Sequence, residues 1–224
     1  MSSKSQKKIL IIKLSALGDV VHTLPVPRTL RQKYPEAYIA WIIEERYQEL
    51  LYNNPDINEV IPIRTKVWRK NWNKETFNEI LQIIKNIRQK KFDVVLLDAP
   101  CSATGTIRRH PDLPFVKTEK NLADLINIQK RLLDCAVNYL KPGGELIYCT
   151  CSLLFSEGED QIEEFLLNNP NMFASKINLE SFGLPKEWES LHSSLRIRPD
   201  YWKEFGAIDG FFVSKLIKNN SVKI

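Results

Sequence analysis

Short, nearly continuous apolar runs alternate along the chain with stretches whose apolar residues recur every third or fourth position. The first pattern marks strands buried on both faces, the second amphipathic helices. KILIIKL (8–14), YIAWIIEE (38–45), EVIPIRT (59–65), FDVVLLD (92–98), ELIYCTC (145–151) and GFFVSKLIK (210–218) read as strands. Pro62 threatens the third, because proline cannot donate to a sheet ladder. GDVVHTLPVPRTLRQKY (18–34) reads as a helical region interrupted at Pro25 and Pro27. RYQELLYNN (46–54), NLADLINIQKRLLDCAVNYL (121–140) and EGEDQIEEFLLNNP (157–170) read as helices. In KETFNEILQIIKNIRQK (74–90) one stripe gathers Phe77, Ile80, Leu81, Ile84 and Ile87. Lys141-Pro142-Gly143-Gly144 ends the long helix before residue 145. Strands alternating with helices predict a doubly wound, mostly parallel, Rossmann-like α/β sheet.

Composition narrows the class without naming a function. The 224 residues suit one domain or two small ones. A net charge of +5 and a pI near 8.9 are compatible with RNA. No run approaches the ~20 apolar residues of a membrane span. The start is basic, then briefly apolar, has no small-residue cleavage site, and meets Asp19 soon after. That suits a buried first strand better than a signal peptide, so a cytoplasmic protein with reduced thiols is expected. Cys101, Cys135, Cys149 and Cys151 form no CxxC pair, which argues against zinc. Cys135 and Cys149 are expected to be buried structural cysteines.

In open parallel sheets the ligand crevice lies beyond the carboxyl ends of the strands. Two strands end there in chemistry. FDVVLLD leads into Asp98-Ala99-Pro100-Cys101-Ser102-Ala103-Thr104-Gly105, and ELIYC into Thr150-Cys151-Ser152. If the strands are neighbours, ~5 Å apart, Cys101 and Cys151 meet in one crevice with Asp98. Ser102 and Ser152 suit turn lining better than reaction.

KFDVVLLDAPCSATGTIRRHPDL, LKPGGELIYCTCSLLFSEGEDQIEEFL and LRIRPDYWKEFGAIDGFFVSKLIK resemble the closing part of the Sun/Nop family of RNA cytosine-5 methyltransferases, with its DAPCS, TCS and DGFF signatures in order. The resemblance implies an S-adenosylmethionine-dependent methyltransferase acting on RNA, ribosomal RNA in particular. It implies Cys151 as the nucleophile that bonds cytosine C6, Cys101 as the partner that aids release, and Asp98 as a cofactor contact. The chemistry is coherent: a thiolate at C6 turns C5 into an enamine-like carbon that can accept a methyl group, and a second acid/base group assists elimination. Arg108, Arg109 and His110 match a basic segment expected near RNA phosphate, with a solvated loop as the equal alternative.

The first part of the chain resembles something else. KILIIKLSALGDVVHTLPVPRTLRQKYPEAYIAWIIEERYQEL and VIPIRTKVWRKNWNKETF are similar to the opening of bacterial lipopolysaccharide heptosyltransferases. That resemblance implies Asp19 as a base on a sugar acceptor and Arg64, Lys66, Arg69 and Lys70 as holders of acidic sugars; a helix cap is the plain alternative for Asp19. The methyltransferase family's glycine-rich cofactor loop has only Gly18 to answer it, within Lys13–Asp19. The chain therefore reads as a chimera, 1–92 from one parent and 93–224 from the other, with a seam near KFDVVLLD. The expected strand order is 3-2-1-4-5-7-6, and the cofactor loop is largely missing. A heptosyltransferase fragment and a non-catalytic fusion relic are the alternative readings. Glu44 and Glu45 stand where such sheets place an acid for ribose hydroxyls, which is read as coincidence.

Overall fold

The computed structural model describes residues 6–71, 73–116 and 118–220, without the Arg69 side chain, so the expectation placed on Arg69 lies outside the described residues. It divides into two compact units. The first is built from residues up to Leu96 together with Asn138–Lys141, the second from Leu97–Val137 and from Pro142 onward.

The first unit contains β1 (Lys8–Ile12), α1 (Leu17–Thr23), α2 (Pro25–Lys33), β2 (Tyr38–Glu44), β3 (Glu59–Ile63), α3 (Thr65–Lys70), α4 (Lys74–Lys90) and β4 (Phe92–Asp98) as far as Leu96. Its strands lie in the order β3-β2-β1-β4. β1 and β3 both run parallel to β2, with Ile9 opposite Ile39 and Ile61 opposite Ile42. β2 is buried from Ile39 to Glu44, as a central strand must be. Pro62 does not break β3, because β3 is an edge strand and the missing N–H faces no ladder. Ile9, Ile11, Ile39, Trp41, Ile43 and Leu51 form the core, and the Trp41 indole donates to the Lys13 carbonyl at 3.1 Å.

The helical region over 18–34 is two helices. α1 ends at Thr23, and α2 opens with Pro25 at its first position, where no intrahelical N–H is required. The segment expected as a helix over 46–54 is a 3-10 turn over Glu45–Leu51. α4 has the expected bounds, with Asn73 accepting the Thr76 N–H at 2.8 Å as its cap. Its packed face is rotated from the expected stripe. Thr76 and Ile87 are buried with Ile80 and Ile83 half-buried, whereas Phe77 and Leu81 are each 47% exposed. Thr76 is tolerated inside because its hydroxyl donates to the Asn71 carbonyl at 2.7 Å.

The second unit holds the end of β4, then α5 (Leu113–Val116), α6 (Glu119–Tyr139) up to Val137, β5 (Leu140–Thr150) from Pro142, α7 (Glu159–Asn168), β6 (Met172–Ala174), β7 (Glu189–Ser190), β8 (Ser194–Ile197) and β9 (Phe211–Lys218). Here the order is β4-β5-β9-β8-β7, with β6 also on β9. The last strand thus inserts beside β5, as the 5-7-6 order requires, and runs antiparallel to β5, β6 and β8. β5 begins at Leu140, directly after α6, and not at 145. Gly143 makes this possible with a left-handed φ of 75°. On β9, Phe212, Ser214 and Leu216 alternate inward, and Tyr148 meets Phe212 edge-on at 6.3 Å.

Candidate active site

The site grows from the carboxyl ends of β4 and β5. These strands are neighbours: the Ala99 N–H donates to the Cys149 carbonyl at 3.0 Å. Beyond them both segments leave the sheet. Ala103 adopts a left-handed φ of 61°, which turns the loop after Cys101 back on itself. Gly105 then donates to the Cys151 carbonyl at 2.9 Å, and Gly210 donates to the Gly105 carbonyl at 2.8 Å. A Cβ on Gly105 would stand 2.1 Å from the Gly210 oxygen and 2.8 Å from the Cys151 oxygen. Three backbone segments converge where only glycine fits.

This convergence brings Cys101 Sγ to 3.4 Å from Cys151 Sγ, although the residues are fifty positions apart. Both are half-buried thiols outside any disulfide. Contact with the Cys151 sulfur, and then burial, push the Cys101 thiol well above its ordinary 9.0. Two such groups titrate as a pair: when one sulfur ionises, the other is held protonated. Chemically the pair can present one nucleophile and one proton donor in the same crevice. Asp98 ends β4 half-buried, three positions before Cys101.

Beneath the thiols runs a buried polar network. Glu157, fully buried, accepts from the Ser102 N–H at 2.9 Å, from the Ser102 hydroxyl, and from the Gln129 amide at 2.9 Å. Gln129 gives its other amide proton to the Pro100 carbonyl at 2.9 Å. Ser102 and Ser152 share a hydroxyl contact at 3.2 Å, and Thr104 bridges Ser152 and the Leu153 N–H. Behind the Cys151 turn, Arg196 donates to the Ser152 carbonyl and grips the buried Glu159 carboxylate with two nitrogens, while Ser190 donates to Glu159 at 2.6 Å.

Ser102 and Ser152 line the turns, as expected. Arg108 and Arg109 both reach Asp209, at 3.6 and 2.6 Å, yet remain about half exposed, and His110 is exposed. Cys149 is buried, but Cys135 is exposed, contrary to expectation. The α6 face that packs inward is carried by Leu133, Ala136 and Val137, and Cys135 points away from it. In the first unit Asp19 accepts the Ala16 N–H at 3.1 Å at the start of α1, which is capping geometry. Arg64 is engaged by Glu79 at 2.6 Å, while Lys66 and Lys70 are exposed. Glu44 is buried and accepts from Thr65. The residues that sequence reasoning missed are Glu157, Gln129, Thr104 and Arg196. Glu157 had been read into the first turn of a helix that in fact begins at Glu159. A lone Gln or Glu inside a helical pattern carries no signal of burial. Among the described residues no helix is long and apolar enough to cross a membrane, and no group of three or more His, Cys, Asp or Glu could hold a metal.

The sheet and the paired cysteines at adjacent strand ends define an α/β fold with a two-thiol site but not a function, and comparison with known proteins supplies the class. A protein-family model described as 16S rRNA methyltransferase RsmB/F matches residues 57–217. The chain belongs to that family. The ribosomal RNA small subunit methyltransferase B of Salmonella paratyphi B is 42% identical over 132 residues, covering 58% of this chain and 27% of that protein. The aligned region is thus about a quarter of the relative's length. A solved methyltransferase homologue from Pyrococcus horikoshii shares the fold at 23% identity and a TM-score of 0.59, over 95% of this chain and 61% of that one. An E. coli heptosyltransferase solved with ADP matches 48% of this chain and 32% of its own at 27% identity, but its TM-score of 0.38 carries no argument. The family match begins at residue 57, so VIPIRTKVWRKNWNKETF (60–77) falls wholly within it.

Proposed function

We propose that the second unit is the catalytic part of an S-adenosylmethionine-dependent ribosomal RNA cytosine-5 methyltransferase acting in the cytoplasm. The observation that carries this reading is the 3.4 Å approach of Cys101 and Cys151 in a member of the RsmB/F family. In this reading Cys151 attacks C6 of a cytosine taken out of its stack, which makes C5 nucleophilic. Cys101, held as a thiol, stands within reach to exchange protons while Cys151 is expelled. Asp98, at the end of β4, is the proposed cofactor contact, and residues 93–224 are the proposed methyltransferase part.

S-adenosylmethionine would supply the methyl group. The turn after β1 offers it no glycine cradle: Gly18 lies inside α1, and a Cβ there would meet nothing within 4 Å. Calorimetric titration of the folded chain tests cofactor binding directly. Heat with a measurable Kd supports the reading, and a flat titration makes the chain a relic of the enzyme. Sugar transfer has no comparable support, since Asp19 is engaged as a cap.

The decisive experiment is covalent trapping on RNA containing 5-fluorocytidine, with cofactor present. An adduct lost in Cys151→Ala and kept in Cys101→Ala supports the two roles. Removing a positioned acid/base group slows turnover by about 10²–10⁴-fold, so Cys101→Ala is expected to fall in that range on unmodified RNA. No adduct from correctly folded protein sinks the proposed activity.

A further inference from the structure

We propose that Glu157 is the positioning residue that sets Cys101 against Cys151. The inference rests on the two-cysteine reading above for its purpose, although its test needs only the thiols.

Cys101 and Cys151 stand on different loops. The Gly105 N–H to the Cys151 carbonyl and the Thr104 hydroxyl to Ser152 and the Leu153 N–H link these loops on the far side of the thiols, and the network under Glu157 links them beneath. The Glu157 carboxylate takes both polar groups of Ser102, the residue after Cys101. The same Ser102 hydroxyl meets Ser152, the residue after Cys151, at 3.2 Å. Gln129 ties Glu157 to the Pro100 carbonyl, one residue before Cys101. The backbone of Glu157 is fixed in turn, because its carbonyl accepts the Tyr148 hydroxyl at 2.9 Å and the Thr150 hydroxyl at 3.4 Å, both from β5 just before Cys151. One fully buried residue therefore holds the segments on either side of both thiols.

Among the described residues, the three hydrogen bonds to the Glu157 side chain are acceptor contacts, and none comes from a cation. A buried carboxylate matched only by neutral donors is costly in a merely structural role, where a packed apolar side chain would serve. The arrangement makes sense if the donors it orders must be ordered. The amide of Gln129 cannot be turned round, because its oxygen would then face the carboxylate.

Glu157→Gln separates geometry from charge. A glutamine that keeps its oxygen toward the Ser102 N–H and Gln129 can donate to the Ser102 hydroxyl, so every contact survives without the charge. Glu157→Ala leaves the Ser102 N–H and the Gln129 amide without their acceptor, and the loop carrying Cys101 is released.

The test is capture of the full-length chain by phenylarsine oxide, whose trivalent arsenic bonds two thiols held close together and releases water. Wild type and Glu157→Gln are expected to take up one arsenical that survives an excess of monothiol, and Cys101→Ser is expected to lose it. Glu157→Ala should hold it about tenfold or more weakly, since small displacements of paired groups carry penalties of that order or larger. Thermal melting of each variant checks folding. Should Glu157→Ala fail to fold, Ser102→Ala removes the hydroxyl link alone and must also weaken capture. Wild-type capture by Glu157→Ala, or by Ser102→Ala if that variant has to stand in, overturns the proposal. So does a Glu157→Gln variant as weak as Glu157→Ala, because charge would then be the cause. Failed 5-fluorocytidine trapping with intact arsenical capture removes the proposed activity and leaves the positioning role standing.

Discussion

Ionisation at Cys101 and Tyr148 gives the second unit a distinct pH response. Contact with Cys151 and burial raise the Cys101 thiol, and burial raises the Tyr148 phenol, each well above its ordinary value of 9.0 or 10.0. Raised values favour the protonated form in the folded state. Below about pH 8 both groups are almost fully protonated whether the chain is folded or not, and stability is unaffected. As pH climbs past those values the unfolded chain releases its protons while the folded chain keeps them. Each unmatched group then lowers stability by roughly 1 kcal/mol per pH unit. Urea unfolding is expected to show a midpoint that is level up to about pH 8 and falls beyond it, less steeply in Cys101→Ala. A midpoint unchanged to about pH 11 contradicts the raised values. The sequence exposed these cysteines through their place at strand ends. It could not show that one would hold the other protonated, because that depends on a 3.4 Å separation between residues fifty positions apart.

Elements are tied by a buried ion pair that no sequence pattern announces. Glu159 opens α7 at 1% exposure, and Arg196 of β8 reaches it from the sheet. Removing one partner of a buried pair leaves an uncompensated charge, which costs about 3–5 kcal/mol. Arg196→Ala is therefore expected to lose about that much in equilibrium unfolding, and the Cys151 turn loses the donor to its Ser152 carbonyl as well. A loss below about 1 kcal/mol would show that the site relaxes around the vacancy or admits water. Glu159→Leu with Arg196→Met should recover much of the loss, since similar volumes without charge are tolerated. Strands and long helices were legible as elements: β4 and α4 have the bounds their patterns gave. The rotation of α4 and the short strands β6, β7 and β8 were not. Thr76 faces inward only because Asn71 accepts its proton, and two- to four-residue strands carry too little periodicity to register.

For the whole molecule the net charge of +5 bears on the proposed binding of RNA. Electrostatic binding of single-stranded RNA releases counterions, so log K should fall by about 0.7 per phosphate contact for each tenfold rise in salt. Anisotropy titrations across salt are expected to show that slope, reduced in Arg108→Ala and Arg109→Ala. A flat response contradicts phosphate contact. The sequence by itself determined the α/β class, a strand order close to the one observed, and that Cys101 and Cys151 each follow the end of a strand. Continuous apolar runs, helical spacing and the residues that end strands are all local properties. Only the tertiary structure decided that Glu157 lies buried between the two cysteine loops, that Gly105 packs backbone to backbone on Gly210, and that Cys135 faces outward. Those outcomes depend on which groups meet across long stretches of chain, where burial and hydrogen-bond partners are set by packing and not by neighbours in sequence.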